Sequence, residues 1–130
     1  MAPYQILVVD DNDMNLLLIS KILELEGYHV STANNAEEAI QAITKQVPDL
    51  AVLDVMMPDM DGFSLCKKLR QPPLNISAPI VMLTALNTSL DRQQALHAGA
   101  NEIWSKPFDL DLFRKRIGEL LNSSKSNGTR

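Results

Sequence analysis

The sequence lacks the patterns that mark several common classes of protein. Cys66 is its only cysteine, so no intrachain disulfide can form and no CxxC pair offers a zinc site. Its formal net charge is −4 without a broad basic stretch, so direct binding to nucleic acid is not expected. Apolar runs such as Ile6 to Val9 are far too short to span a bilayer, and the N-terminus lacks the basic and apolar segments of a signal peptide. We therefore expect a cytoplasmic protein that does not bind membranes.

The residues that are present suffice for one domain. The chain has 130 residues, of which 45% are hydrophobic, and it contains no internal repeat. Residues 122–130 are polar and have no core-forming side chain, which predicts a disordered tail or a linker. The folded domain is expected over residues 4–121.

Short apolar runs alternate with longer helical patterns along this domain. The runs predict five strands, at Ile6 to Val9, Val30 to Ala33, Leu50 to Leu53, Pro79 to Leu83 and Glu102 to Trp104. The segments between them predict helices near residues 14–26, 36–46, 63–70, 89–97 and 109–121. Capping residues that agree with these limits are Gly27, Asn35 with Glu38, Ser89 and Gly99. The pattern predicts an α/β fold of the (βα)₅ type with a doubly wound parallel sheet.

Polar residues stand where the predicted strands end. Asp10 and Asp11 follow the first strand, Asp54 the third and Thr84 the fourth, while the fifth leads to Lys106. Sites in open parallel sheets lie beyond the carboxyl ends of the strands, so these side chains should converge. Three neighbouring carboxylates need positive charge, which Lys106 and a hard cation such as Mg²⁺ can supply. Each residue alone has an ordinary explanation as a cap or a surface charge, and only the set points to a site.

The motifs around these residues resemble the receiver domains of two-component response regulators, which include chemotaxis-regulator-like phosphoacceptor domains. They are VVDDN at residues 8–12, DVMMPDMDG at 54–62, Thr84-Ala85 and KPF at 106–108. The spacing from Asp54 to Thr84 and on to Lys106 also matches the family pattern. The resemblance implies a flavodoxin-like receiver fold with strand order 2-1-3-4-5.

The resemblance also implies the chemistry of the site. Asp54 is expected to be the phosphorylated residue, with Mg²⁺, or Mn²⁺ in its place, bound directly by Asp11, Asp54 and the backbone carbonyl of Met56. Asp10 is expected to act on the metal mainly through water.

Further residues receive roles from the same resemblance. Thr84, Ala85 and Lys106 are expected to contact the phosphoryl group, and the bond before Pro107 is expected to be cis. A histidine kinase or a histidine phosphotransfer protein would be the donor.

The expected switch departs from the commonest pattern of the family. Thr84 would move toward the phosphate and alter the surface of the fourth helix, fifth strand and fifth helix, where a partner or a second copy would bind. Many members carry Tyr or Phe three residues before the lysine, whereas this chain has Ile103. Trp104 cannot replace that ring, because neighbouring residues of a strand point to opposite faces.

The first predicted helix has two apolar stripes. One contains Leu18, Ile22 and Leu25, and the other contains Leu16, Ile19 and Leu23. We expect one stripe to face the sheet and assign Leu16, Ile19 and Leu23 to an exposed docking surface for the phosphodonor. The alternative is a helix set more deeply into the core.

Two apolar residues bear on the lifetime of the phosphoryl group. In the family, the positions two after the aspartate and two after the threonine influence the attacking water, and here they are Met56 and Leu86. Neither can hydrogen-bond that water, which predicts a long-lived phosphoaspartate and slow autodephosphorylation.

Other functions fit the sequence less well. Haloacid-dehalogenase-like phosphatases need a second aspartate where this chain has Met56, so turnover of external substrates is not expected. Neither GxGxxG nor GxxxxGK[ST] occurs, which disfavours a dinucleotide or nucleotide site. A pseudo-receiver that binds partners without phosphate is disfavoured by the complete acidic and lysine set. The sequence leaves open whether the chain is a stand-alone regulator or the receiver segment of a transcription factor or hybrid kinase.

Overall fold

A parallel sheet of five strands, in the order β2-β1-β3-β4-β5, lies at the centre of the molecule. The computed structural model describes residues 3–85 and 88–128. The strands are β1 Gln5–Val9, β2 His29–Ala33, β3 Leu50–Asp54, β4 Ile80–Thr84 and β5 Glu102–Ser105. The helices are α1 Asp13–Leu25, α2 Ala36–Lys45, α3 Gly62–Arg70, α4 Ser89–Ala98 and α5 Leu110–Gly128. The predicted fold class and strand order are confirmed.

The two faces of the sheet carry separate hydrophobic clusters. Leu7, Val9 and Met82 belong to a cluster with residues of α2, α3 and α4, which we call the upper cluster. Ile6 and Val8 belong to a cluster with residues of α1 and α5, the lower cluster. Because successive side chains of a strand point to opposite faces, each central strand must be apolar along its whole length.

Side-chain caps fix where the helices begin. Asn12 caps α1 and Asn35 caps α2, each accepting a hydrogen bond from the backbone N–H three residues on. Thr88, rather than Ser89, caps α4, and its partner in a reciprocal capping box is Asp91. The αL conformation of Gly99, with φ of 97°, ends α4 as expected.

The last helix is longer than predicted. It continues to Gly128, so the predicted end at Leu121 is wrong. Leu121 is the last buried residue in the described part of α5, and the apolar pattern used for the prediction stops there. No proline or glycine interrupts residues 122–127, so the sequence allows the helix to continue past Leu121.

The prediction of an exposed docking stripe is wrong. Leu16, Ile19 and Leu23 are only 7%, 4% and 0% exposed, because this stripe of α1 packs in the lower cluster. The exposed apolar side chains of the helix are those of Met14, Leu17, Leu18 and Leu25. In the described part of the chain, no helix has the length and apolar character needed to cross a membrane.

Arg70 joins the end of α3 to the segment that precedes β4 and to the segment between α4 and β5. Its Nε donates to the carbonyl of Gly99 at 2.9 Å, and its Nη1 donates to the carbonyls of Ile76 and Ala78 at 3.0 and 2.7 Å. Its Nη2 donates to Asn101 Oδ1 at 3.1 Å. One half-buried guanidinium therefore satisfies acceptors in two loops.

Replacing Arg70 should destabilise the fold. Arg70→Met removes these donors and leaves carbonyl groups unpaired, so the free energy of unfolding should fall by about 2–3 kcal/mol in a urea titration. Arg70→Lys should give an intermediate loss, because an ammonium cannot span the same acceptors. The control is Lys67→Met on the exposed side of α3, which should change stability by about 0.5 kcal/mol or less. Equal stability of the two methionine variants would contradict the role of Arg70.

Candidate functional site

Polar side chains meet at the carboxyl edge of the central strands. Asp10 follows β1, and Asp54 and Thr84 are the last residues of β3 and β4; all three are buried, whereas Asp11 is exposed. Backbone hydrogen bonds fix this edge: the N–H of Asp10 donates to the carbonyl of Ala33 at 3.1 Å. The predicted convergence of these residues is therefore present in the structure.

Lys106, the residue directly after β5, completes the cluster. Its Nζ lies 3.0 Å from Asp54 Oδ1 and 3.4 Å from Asp10 Oδ2. The backbone N–H of Lys106 donates to the carbonyl of Thr84 at 2.7 Å, so the turn after β5 is fixed to the end of β4. The Lys106–Pro107 peptide bond is cis, as predicted.

Burial and neighbouring charges act on the central pair. Desolvation raises the pKa of Asp54, the hydrogen bond from Lys106 lowers it, and the charges of Asp10 and Asp11 raise it, with a net increase. For Lys106, desolvation lowers the pKa, but hydrogen bonds and charges from Asp54 and Asp10 raise it by more. Lys106 thus stays charged. Its attraction does not fully offset the desolvation and the neighbouring negative charges that disfavour ionised Asp54.

The donor set fits a hard divalent cation. Asp10, Asp11 and Asp54 each place a carboxylate oxygen so that the three atoms lie within 4.8 Å of one another. Mg²⁺ and Mn²⁺ prefer oxygen ligands and tolerate retained water. Both oxygens of Asp10 already have protein partners, since Oδ1 accepts from the N–H of Asn12 at 2.9 Å and Oδ2 lies near Lys106. This agrees with the expectation that Asp10 acts on a metal through water.

The loop after β3 passes very close to the end of that strand. The N–H of Gly62 donates to the carbonyl of Val55 at 2.8 Å, which closes the loop at its base. A Cβ at position 62 would lie 2.4 Å from the backbone oxygen of Asp54, so only glycine fits. Within the loop the Met56 side chain is 69% exposed, and metal binding by its carbonyl stays a prediction. Leu86 lies outside the described residues.

Ile103, which is expected at the switch, and its neighbour Trp104 lie on opposite faces of the sheet. Ile103 packs against the upper cluster and Trp104 against the lower one, which confirms that the indole cannot substitute for the missing ring. Trp104 instead contacts Phe108 and Phe113 edge-on, with ring centroids 6.0 and 5.9 Å apart. Ala85 is exposed directly after Thr84.

Sequence reasoning missed the contribution of Asn12 to the site. Its backbone N–H binds Asp10, while its side chain caps α1 by accepting from the N–H of Asn15 at 3.0 Å. The signal was available, because an asparagine directly before a helical pattern is a common N-cap.

Comparison with known proteins agrees with this geometry. The family model described as the response regulator receiver domain matches residues 6–118. The chain is 41% identical to the response regulator PleD of Caulobacter vibrioides over 116 residues, covering 89% of this chain and 26% of PleD. It is also 41% identical over 121 residues to PhoP of Bacillus subtilis, an alkaline phosphatase synthesis transcriptional regulatory protein, covering 93% of this chain and 50% of PhoP. The chain thus spans between a quarter and a half of these two relatives.

A solved structure shows the same architecture. A CheY-like receiver domain protein from Methanospirillum hungatei superimposes with a TM-score of 0.89 at 30% identity, covering 96% of this chain and 98% of that one. The resemblance inferred from the motifs is confirmed. The chain belongs to the family of response regulator receiver domains.

Proposed function

We propose that this chain is a phosphorelay component of the cytoplasm that accepts a phosphoryl group on Asp54. The donor would be a histidine kinase or a histidine phosphotransfer protein, and Asp11 and Asp54 would bind Mg²⁺ with help from Asp10. The observation that carries the proposal is the 3.0 Å contact between Lys106 Nζ and Asp54 Oδ1 inside a cluster of three carboxylates. A nucleophile next to a fixed positive charge, with oxygen ligands for a cation, is the arrangement that phosphoryl transfer requires.

In the proposed transfer, a carboxylate oxygen of Asp54 attacks the phosphorus atom. A phosphorus–oxygen bond forms, the phosphorus–nitrogen bond of the donor breaks, and the donor imidazole keeps the electron pair and takes up a proton. Lys106 donates to a phosphoryl oxygen, and the Thr84 hydroxyl supplies a further donor. A bound Mg²⁺ would neutralise part of the charge on the transferring group.

The proposed catalysis is limited to the chain's own phosphorylation and slow loss of the phosphoryl group. A haloacid-dehalogenase-like phosphatase would need a second carboxylate two residues after Asp54, but this chain has Met56 at that position. The raised pKa of Asp54 fits a nucleophile that gains stability when its charge is shared with a phosphoryl group and a cation.

The first prediction of the proposed function concerns the phosphorylated residue. Acetyl phosphate with Mg²⁺ should add one phosphoryl group to the chain, measured by intact-protein mass spectrometry, and EDTA should prevent the addition. Asp54→Asn should abolish it, since the nucleophilic oxygen is lost. The control is Asp49→Asn, an exposed carboxylate before β3 at the opposite edge of the sheet. Full labelling of Asp54→Asn, or full labelling in EDTA, would overturn the assignment.

A second prediction concerns the response of the molecule. Beryllium fluoride, which mimics the phosphoryl group, should shift amide resonances in α4 and at Ile103 as well as at the site. The reason is that Lys106 and Thr84 are joined by a backbone hydrogen bond, so a change at either is passed to β5. Homodimerisation through α4, β5 and α5 would appear as a larger sedimentation coefficient. Shifts confined to the residues around Asp54 would contradict the switch.

A third prediction concerns the lifetime of the phosphoryl group. Met56→Asn places an amide near the attacking water, so dephosphorylation with Mg²⁺ should become several-fold faster, and more so when Leu86→Glu is added. Val47→Asn is the control, because it makes the same polar change at an exposed position before β3. If the double variant retains its phosphoryl group as long as the parent chain, apolar shielding does not set the lifetime.

A further inference from the structure

Asp59 lies at the middle of the loop that follows the phosphoacceptor residue and bonds to a distant helix. Its Oδ1 accepts from the backbone N–H of Ala36 at 3.2 Å, and its Oδ2 accepts from that of Glu37 at 3.3 Å. The partners are 23 and 22 residues away in sequence, at the first turn of α2. An exposed aspartate would normally interact with solvent, so this two-point contact needs an explanation.

The start of α2 explains why the contact is favourable. The first N–H groups of a helix have no partner within the helix, and Asn35 satisfies only that of Glu38, at 2.8 Å. Asp59 supplies acceptors for two further donors, those of Ala36 and Glu37, and its negative charge lies at the positive end of the helix dipole. Desolvation raises the pKa of Asp59, but hydrogen bonds from the backbone N–H groups of Ala36, Glu37, Asp59 and Met60 together lower it by more, so the carboxylate is ionised at neutral pH.

The other end of this contact is the loop between β3 and α3, residues 55–61. The loop is fixed at its start, where the N–H of Val55 donates to the carbonyl of Leu83 at 2.9 Å, and at its end by the Gly62–Val55 bond. The segment carrying Met56 lies between these points, and Asp59 fixes it to α2. Without the two hydrogen bonds of Asp59, this segment could adopt more conformations. Binding of a cation would then have to order it.

The start of α2 is in turn connected to the acidic turn after β1. The backbone N–H of Asn34 donates to Glu38 Oε1 at 2.8 Å, and Asn34 Nδ2 donates to Asp13 Oδ1 at 2.8 Å. Asp13 is the first residue of α1, directly after the cap Asn12. Hydrogen bonds thus join the segment carrying Asp10 and Asp11 to the loop after Asp54, by way of α2.

We propose that Asp59 is a positioning residue that holds the loop after Asp54 in the conformation that binds the divalent cation. The inference rests on the proposed function, since it concerns the metal of that same site. Asp59 itself is not assigned as a ligand; it acts through the position of the Met56 segment. Partners that orient metal ligands typically change metal affinity by about 10-fold or more when they are removed.

The test is the affinity of the unphosphorylated chain for Mg²⁺, measured by calorimetric titration in about 0.15 M KCl to screen distant charges. Asp59→Ala should raise the Kd about 10-fold, because both bonds to α2 are lost. Asp59→Asn keeps one acceptor oxygen and should raise it about 3-fold, half the effect on a logarithmic scale. Hydrogen exchange of the metal-free chain should become faster at Ala36, Glu37 and Met56 in Asp59→Ala.

Two variants separate positioning from simpler effects. Asn35→Ala removes the local cap of α2 and should lower the melting temperature by a few degrees, while the Mg²⁺ Kd stays within about 2-fold of the parent value. Asp61→Asn removes a negative charge from the same loop but keeps an acceptor for the N–H of Ser64, and it too should leave the Kd within about 2-fold.

Each result decides the proposal. If Asn35→Ala weakens Mg²⁺ binding as much as Asp59→Ala does, Asp59 only stabilises α2 and the proposal is wrong. An equal effect of Asp61→Asn would show that lost charge, rather than position, is responsible. If the parent binds Mg²⁺ and Asp59→Ala binds it equally well, this inference alone fails. If the parent does not bind Mg²⁺, the metal site of the proposed function fails with it.

Discussion

Repulsion among Asp10, Asp11 and Asp54 is the constraint on which the site depends. Two carboxylates about 4 Å apart repel by about 4 kcal/mol where the effective dielectric constant is about 20. Lys106 offsets part of this by contacting two of the three, and burial of Asp10 and Asp54 removes the screening that water would give. Desolvation, followed by the charges of Asp10 and Asp11, raises the pKa of Asp54 by more than Lys106 lowers it. The folded chain therefore favours added positive charge at this point, which a divalent cation supplies.

The rest of the fold keeps these charges from separating. Asp10, Asp54 and Thr84 are placed by β1, β3 and β4, the three strands covered on both faces by the upper and lower clusters. Such strands cannot shift without exposing apolar surface on two sides. Beyond the strands, backbone hydrogen bonds such as that from Lys106 to Thr84 fix the loops, and Gly62 allows the loop after β3 to approach Asp54 closely. The packing that stabilises the sheet thus also fixes the geometry of the site.

Most of the fold and of the site could be predicted from local features of the sequence. Continuous apolar runs indicated buried parallel strands, and residues at their ends indicated the site, because strand direction alone brings carboxyl ends together. The choice between the stripes of α1 could not be made locally, since Leu16 and Leu18 are equally apolar. Packing against α5, including Phe113, selects the buried one. The contacts of Asp59 with α2 were also beyond prediction, because they join residues that only the folded chain brings together.

The most direct test of this account is the melting temperature of the chain with and without saturating Mg²⁺, for the parent and for Asp54→Asn. The ionised Asp54 has a folded-state pKa above its unfolded value, so it destabilises the metal-free fold at neutral pH, and the neutral amide should relieve this. Asp54→Asn should therefore melt at a higher temperature than the parent without metal. Mg²⁺ should stabilise the parent and have a much smaller effect on the variant. A parent chain that Mg²⁺ leaves unchanged, with Asp54→Asn no more stable than the parent, would contradict the central role of carboxylate repulsion.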